Sequence, residues 1–193
     1  MLVLVAIVLL ANVPYLLGIA DPNPLGPRTE LAAPQPGFLH GSNTLDPTDG
    51  YITHALGQQA AIDVLHGQLP LWNPYEGAGM PLFGEGQSAA LFPPTLLLAL
   101  DNGQFWEDLL LELVAGLATF LVLRRIGVGR AASVAGGAAF ALNGAFAWLA
   151  TTSFNPIALL PLLVLGIEYA YAATRNHRRG SWWLIAVAIA LSL

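Results

Sequence analysis

The chain contains no cysteine and no lysine. Without cysteine there is no disulfide, no thiolate ligand for a metal and no sulfur nucleophile. Without lysine, every fixed side-chain cation is an arginine. Seven arginines against twelve acids leave a net charge of −5 and a pI near 5.1. That balance excludes the basic face which nucleic-acid binding requires. Charge of either sign is scarce, at 10% of 193 residues, against about 25% in an average soluble domain. What fills the chain instead is apolar: 55% of residues are hydrophobic and the mean hydropathy is +0.62.

This composition predicts an all-α polytopic membrane protein with a long first external loop. Residues 1–20 read as a first transmembrane helix, because the apolar run lacks the basic leader and small-residue cleavage site of a signal peptide. Residues 105–193 read as transmembrane helices 2–4 and the start of a fifth, with apolar runs over 105–123, 131–150 and 156–173. The chain closes on "WWLIAVAIALSL", shorter than the roughly 20 residues a span needs, so the sequence is expected to be a piece of a longer protein. Six of the seven arginines fall in two short stretches, 124–130 and 174–181. Arginine-rich short loops stay cytoplasmic, which puts 21–104 outside a bacterial plasma membrane crossed several times.

Within 21–104 the chain changes character. Residues 21–38 are proline-rich and irregular. From Asp46 a helix-start signal appears: Asp46 as cap, Pro47 at the first helical position, Asp49 three residues after the cap. An imperfect apolar stripe, Ile52, Ala55, Leu56, Ile62 and Leu65, predicts an interfacial helix over 47–67. "AALFPPTLLLAL", residues 89–100, is too short to span and carries Pro93 and Pro94, so it is expected to be re-entrant.

Acids are as unevenly spread as arginines: eleven of twelve lie at or before Glu112. Asp49 and Asp46 are the candidate catalytic carboxylates, since a carboxylate held at a helix start beside a cleft can serve as a general base. The same position is also that of a plain helix cap, whose backbone hydrogen bonds would lower the pKa and weaken the base. Between Pro70 and Pro81, "PLWNPYEGAGMP" offers aromatics and a rigid turn. Trp72, Asn73, Tyr75, Glu85 and Gln87, with His54, are the candidate substrate-binding residues, and glycines let backbone approach a ligand. The glycine spacing is not that of a dinucleotide fingerprint. His40, His54 and His66 lack the tight spacing of a metal site, so no metal ligand and no cofactor are assigned; a divalent cation is left open. Asp108 and Glu112, one helical turn apart, are ionisable groups at an expected span and draw notice for that reason.

The stretch from "DGYITHALGQQAAIDVLHGQLPLWNPYEGAGMPLFGEGQSAALFPPTLLL" through "LRRIG" to "NPIALLPLLVLGIEYA" resembles the N-terminal part of the bacterial YfhO-type membrane proteins, which are grouped with the GT-C glycosyltransferases. The resemblance covers residue 46 to the end. It implies a GT-C-like fold and transfer of a sugar from a polyprenyl-phosphate-linked donor to a cell-envelope glycan acceptor at the outer membrane face. Membrane lipid, donor and acceptor would be the partners, and nucleic acid would not. Asp49, with Asp46 as runner-up, matches the acid that activates the acceptor in that family.

Two other classes compete. A lipid or glycan transporter subunit would show internal repeats and interrupted helices, and no repeat is visible. A non-catalytic scaffold would lose only a cap, about 1 kcal/mol, when Asp49 is neutralised.

Overall fold

A computed structural model describes residues 1–19, 52–143 and 155–175. The chain separates into two compact units: Met1–Ala11 with Leu110–Ala147 and Pro156–Leu193, and Asn12–Leu109 with Trp148–Asn155.

In the first unit, α1 (Leu2–Ala11) packs on α5 (Arg130–Ala141). Leu4 and Val8 are fully covered while Leu2, Val3 and Leu10 are exposed. Close approach is possible because Gly137 has no side chain: a Cβ there would sit 2.8 Å from the Gly116 carbonyl oxygen. Helix α4 (Gly103–Arg125) ends on Arg124 and Arg125, cations at the negative end of the helix dipole. Arg125 meets Glu168 of α6 (Leu160–Arg175) at 3.6 Å and lies 5.1 Å from the centre of the Tyr169 ring. The "LRRIG" arginines thus have partners on the protein.

In the second unit, a short helix α2 (Val13–Leu16) carries Tyr15, whose ring lies 5.8 Å from that of Phe105. Helix α3 (His54–Leu65) follows a π-type turn at Ile52 and Thr53. The expected cap, Asp46 to Asp49, lies outside the described residues. α3 stops in a glycine-dependent closure. Gly67 takes φ +73°, Gln68 N–H reaches the Asp63 carbonyl at 2.9 Å, and Gly67 N–H reaches that of Val64 at 2.9 Å. Gly127 closes α4 in the same way, with Val128 N–H on the Leu123 carbonyl at 2.9 Å.

The buried face of α3 packs on a 3-10 segment, Pro93–Ala99. Leu56, Ala60 and Leu82 form a core flanked by Ile52 and Ala90. Two hydroxyls tie down the loop before that segment: Ser88 Oγ donates to the Leu82 carbonyl at 2.8 Å and Thr95 Oγ1 to that of Ala89 at 3.1 Å. Between α3 and the Pro93–Ala99 segment in chain order, β1 (Trp72–Asn73) and β2 (Met80–Pro81) make a minimal antiparallel ribbon, with Trp72 opposite Pro81 and Asn73 opposite Met80.

The expectation of a polytopic membrane fold is overturned. Among the described residues, no helix is long and apolar enough to cross a membrane. The run over 1–20 breaks at Asn12, because Pro14 has no N–H to donate and its ring would strike the carbonyl four residues back. That leaves α1 with 10 residues, about 15 Å at the rise of an α-helix. α4 has 23 residues, but Glu107, Asp108 and Glu112 lie in its first half and two arginines at its end. α6 has 16 residues. The helix expected to lie on a membrane surface packs against protein instead. With the spans goes the multi-pass placement in a bacterial plasma membrane, with 21–104 outside and 124–130 and 174–181 inside.

Candidate functional site

Three apolar residues at helical spacing, Ile52, Ala55 and Leu56, form one wall of an open cleft of about 270 Å³. The turn of the ribbon forms the other, with Asn73, Tyr75 and Glu76. The turn holds its shape through Asn73. Its side-chain oxygen accepts from Tyr75 N–H at 3.0 Å, and its amide donates to Glu76 Oε2 at 3.5 Å. An asparagine bonding backbone two residues on is the usual way such a turn is set, and Pro74 restricts it further. Asn73 is only 6% exposed, while the Tyr75 ring is 81% exposed. The cleft therefore has a rigid amide, an open aromatic face and a carboxylate on one side, and aliphatic surface on the other.

Beside the turn, Trp72 lies against Gly79. A Cβ at Gly79 would fall 2.5 Å from the indole Nε1, and the residue adopts φ +99°. Trp72 is 54% exposed. Gln87 is exposed on the loop after the 3-10 turn Phe83–Glu85, which Glu85 closes.

His54 points elsewhere. Its Nδ1 lies 3.3 Å from Gln104 Oε1, and Gln104 Nε2 donates to Asp108 Oδ1 at 3.0 Å. Gln104 and Asp108 stand one turn apart on α4, so one face of that helix presents both. Gln104 is 3% exposed, with His54 and Asp108 half-buried. Glu107, on the same first turns, is fully buried.

No protein-family model, curated protein or solved structure matches this chain. The likeness to YfhO-type proteins thus stands on the quoted residues alone. The membrane, GT-C and cell-envelope labels that came with it have no spanning helix among the described residues and no relative behind them.

Of the residues singled out from sequence, Asn73 and Tyr75 meet at the cleft, Trp72 flanks the turn, and His54 belongs to a separate polar chain. Asp46 and Asp49 lie outside the described residues. Among the described residues no group of three or more histidines and acids could hold a metal ion. Two residues escaped the sequence reading. Glu76 was signalled by its place three residues after Asn73 in an Asn-Pro turn. Gln104 was signalled by its position four residues before Asp108, a spacing at which amides and acids pair on a helix.

Proposed function

We propose that this chain binds a sugar in the cleft between α3 and the ribbon turn and moves it from a polyprenyl-phosphate-linked donor to a glycan acceptor. The observation that supports it is the make-up of the cleft: aliphatic wall opposite an amide, a tyrosine ring and a carboxylate. A pyranose has apolar C–H faces and a rim of hydroxyls, and binding sites for such ligands combine apolar surface with a few placed polar groups. In the transfer, the acceptor oxygen bonds to the anomeric carbon. The bond from that carbon to the phosphate oxygen breaks, its electron pair leaves with polyprenyl phosphate, and the hydroxyl proton passes to a carboxylate. Asp49, three residues before Ile52 in the chain, is the proposed proton acceptor, with Asp46 as its alternate.

One observation favours a second reading, a sugar-binding module without transfer. The carboxylate at the cleft, Glu76, accepts from the Asn73 amide within the turn, which suits it to shaping a site. The experiment offers the purified chain a radiolabelled polyprenyl-phosphate hexose with methyl glucoside, mannoside or galactoside as acceptor. Binding is followed through the Asn73 and Tyr75 amide resonances. A disaccharide product that disappears in Asp49→Asn, with binding retained, supports transfer. Binding without product selects the module. Neither binding nor product sinks both readings.

A further inference from the structure

Charge of one sign lines the cleft between α3 and the ribbon turn. Among the described residues of its walls, Ile52, Ala55 and Leu56 are apolar, Asn73 and Tyr75 carry an amide and a phenol, and Glu76 is the one acid, with no arginine or histidine beside it. Glu76 is half-buried. Among the described residues its side chain takes one hydrogen bond, from the Asn73 amide to Oε2 at 3.5 Å. A carboxylate has about four acceptor positions on its two oxygens, so most of this one's capacity is left to water or a ligand.

Filling the cleft bears on that carboxylate. A pyranose laid on Ile52 and Leu56 displaces water from the opposite wall as well. A charge that loses its water without gaining a partner is strongly penalised. A neutral sugar offers hydroxyl hydrogens only. An ammonium offers hydrogens and also cancels the charge, and hydrogen bonds that involve ionised groups are about twice as strong as neutral ones. The Tyr75 ring, 81% exposed, adds an open aromatic face, which attracts cations. A phosphate or a uronate meets the reverse of both effects.

We infer that the cleft selects an amino sugar, a pyranose with a free ammonium group, over neutral, N-acetylated and acidic sugars. Glu76 takes the ammonium, and the apolar wall takes a C–H face of the ring. The cleft then holds the sugar ring alone, and the phosphate of the donor stays outside it. This inference rests on the sugar reading above and deepens it.

The test titrates the full chain with the methyl glycosides of glucosamine, glucose, N-acetylglucosamine and glucuronic acid. It is run at mildly acidic pH, where the sugar amine is protonated, and binding is read from the Asn73 and Tyr75 backbone amide resonances. The glucosaminide should bind about fivefold tighter than the glucoside, the upper end for an ion pair that touches solvent. That preference should shrink in 1 M salt and vanish on N-acetylation, which removes the charge. The glucuronide should bind most weakly. Glu76→Gln keeps the shape of the side chain and an acceptor for Asn73, so it should bring the glucosaminide and glucoside to equal affinity. An unshifted Tyr75 amide in the free variant shows that the turn is intact. The salt and N-acetyl comparisons need only the wild-type chain and decide the point if the variant fails to fold. Equal binding of glucosaminide and glucoside by the wild-type chain overturns the inference and leaves the sugar reading standing. So does a preference that salt leaves unchanged or that persists in Glu76→Gln. Binding of none of the four glycosides sinks both.

Discussion

Replacing glycine by alanine should give three different signs at three positions, and the structure supplies the reason for each. At Gly103 a new methyl would lie 2.2 Å from the Leu97 carbonyl oxygen and 2.5 Å from Leu98 Cα. Both are backbone atoms, so no rotamer change relieves the clash, and the start of α4 must move by most of an ångström. Alanine returns about 0.5–1 kcal/mol of helix entropy, but forced overpacking costs about 1–3 kcal/mol. The net expectation for Gly103→Ala is a loss of about 1–2 kcal/mol. At Gly136 the methyl would meet only the Leu123 side chain, its Cδ1 at 2.5 Å, the far end of a flexible side chain. Turning Leu123 off its rotamer costs about 0.5–1.5 kcal/mol and offsets the helix gain, so stability should barely move. At Gly84 the nearest atom is Pro81 Cβ at 3.7 Å, an ordinary contact, and alanine should stabilise by about 0.4–1 kcal/mol through the unfolded chain. Equilibrium urea unfolding followed by tryptophan fluorescence measures all three, with unchanged slopes showing that only stability has shifted. A Gly103→Ala protein as stable as wild type would refute the packing of α4 on the Leu97–Leu98 backbone.

Leu82 is fully covered in the core beside the cleft, so Leu82→Ala should cost about 2–5 kcal/mol in the same urea experiment. Gly67 and Gly127 take φ of +73° and +91° with open space where a Cβ would go, so alanine at either should cost about 1–2 kcal/mol from backbone strain alone, read as a lower urea midpoint. Arg125→Lys should change stability by less than about 1 kcal/mol, because the Arg125 and Glu168 side chains are 39% and 35% exposed and the pair is screened by water. The difference should shrink further in 1 M salt; a large, salt-insensitive loss would show a buried role instead.

Local features were the legible ones. The apolar spacing of Ile52, Leu56 and Leu65 marked a helix, and the structure describes one over His54–Leu65. The prolines and Asn73 between residues 70 and 81 marked a turn. Each depends on residues within a few positions of one another. Hydropathy misled where it summed side chains and ignored chain breaks and charges. The run over 1–20 looked continuous until Pro14 interrupted it, and the run over 105–123 began among the acids of α4. The polar chain stayed hidden for a different reason: His54 and Gln104 are fifty positions apart. Nothing near His54 announces a partner, and only the packing of the unit joins the two elements. The cleft is similar, since its two walls come from a helix and from a turn well downstream.

The contact between Trp72 and Gly79 sets an order in which this ribbon can change over generations. A smaller residue at position 72 removes the indole that fills the space above Gly79, and the ribbon keeps its backbone. The reverse step meets two obstacles at once, the indole itself and a backbone at φ +99° that disfavours any side chain. The two positions are therefore not independent. Variation at 72 is open while 79 stays glycine, and a substitution at 79 is doubly penalised unless 72 has shrunk first.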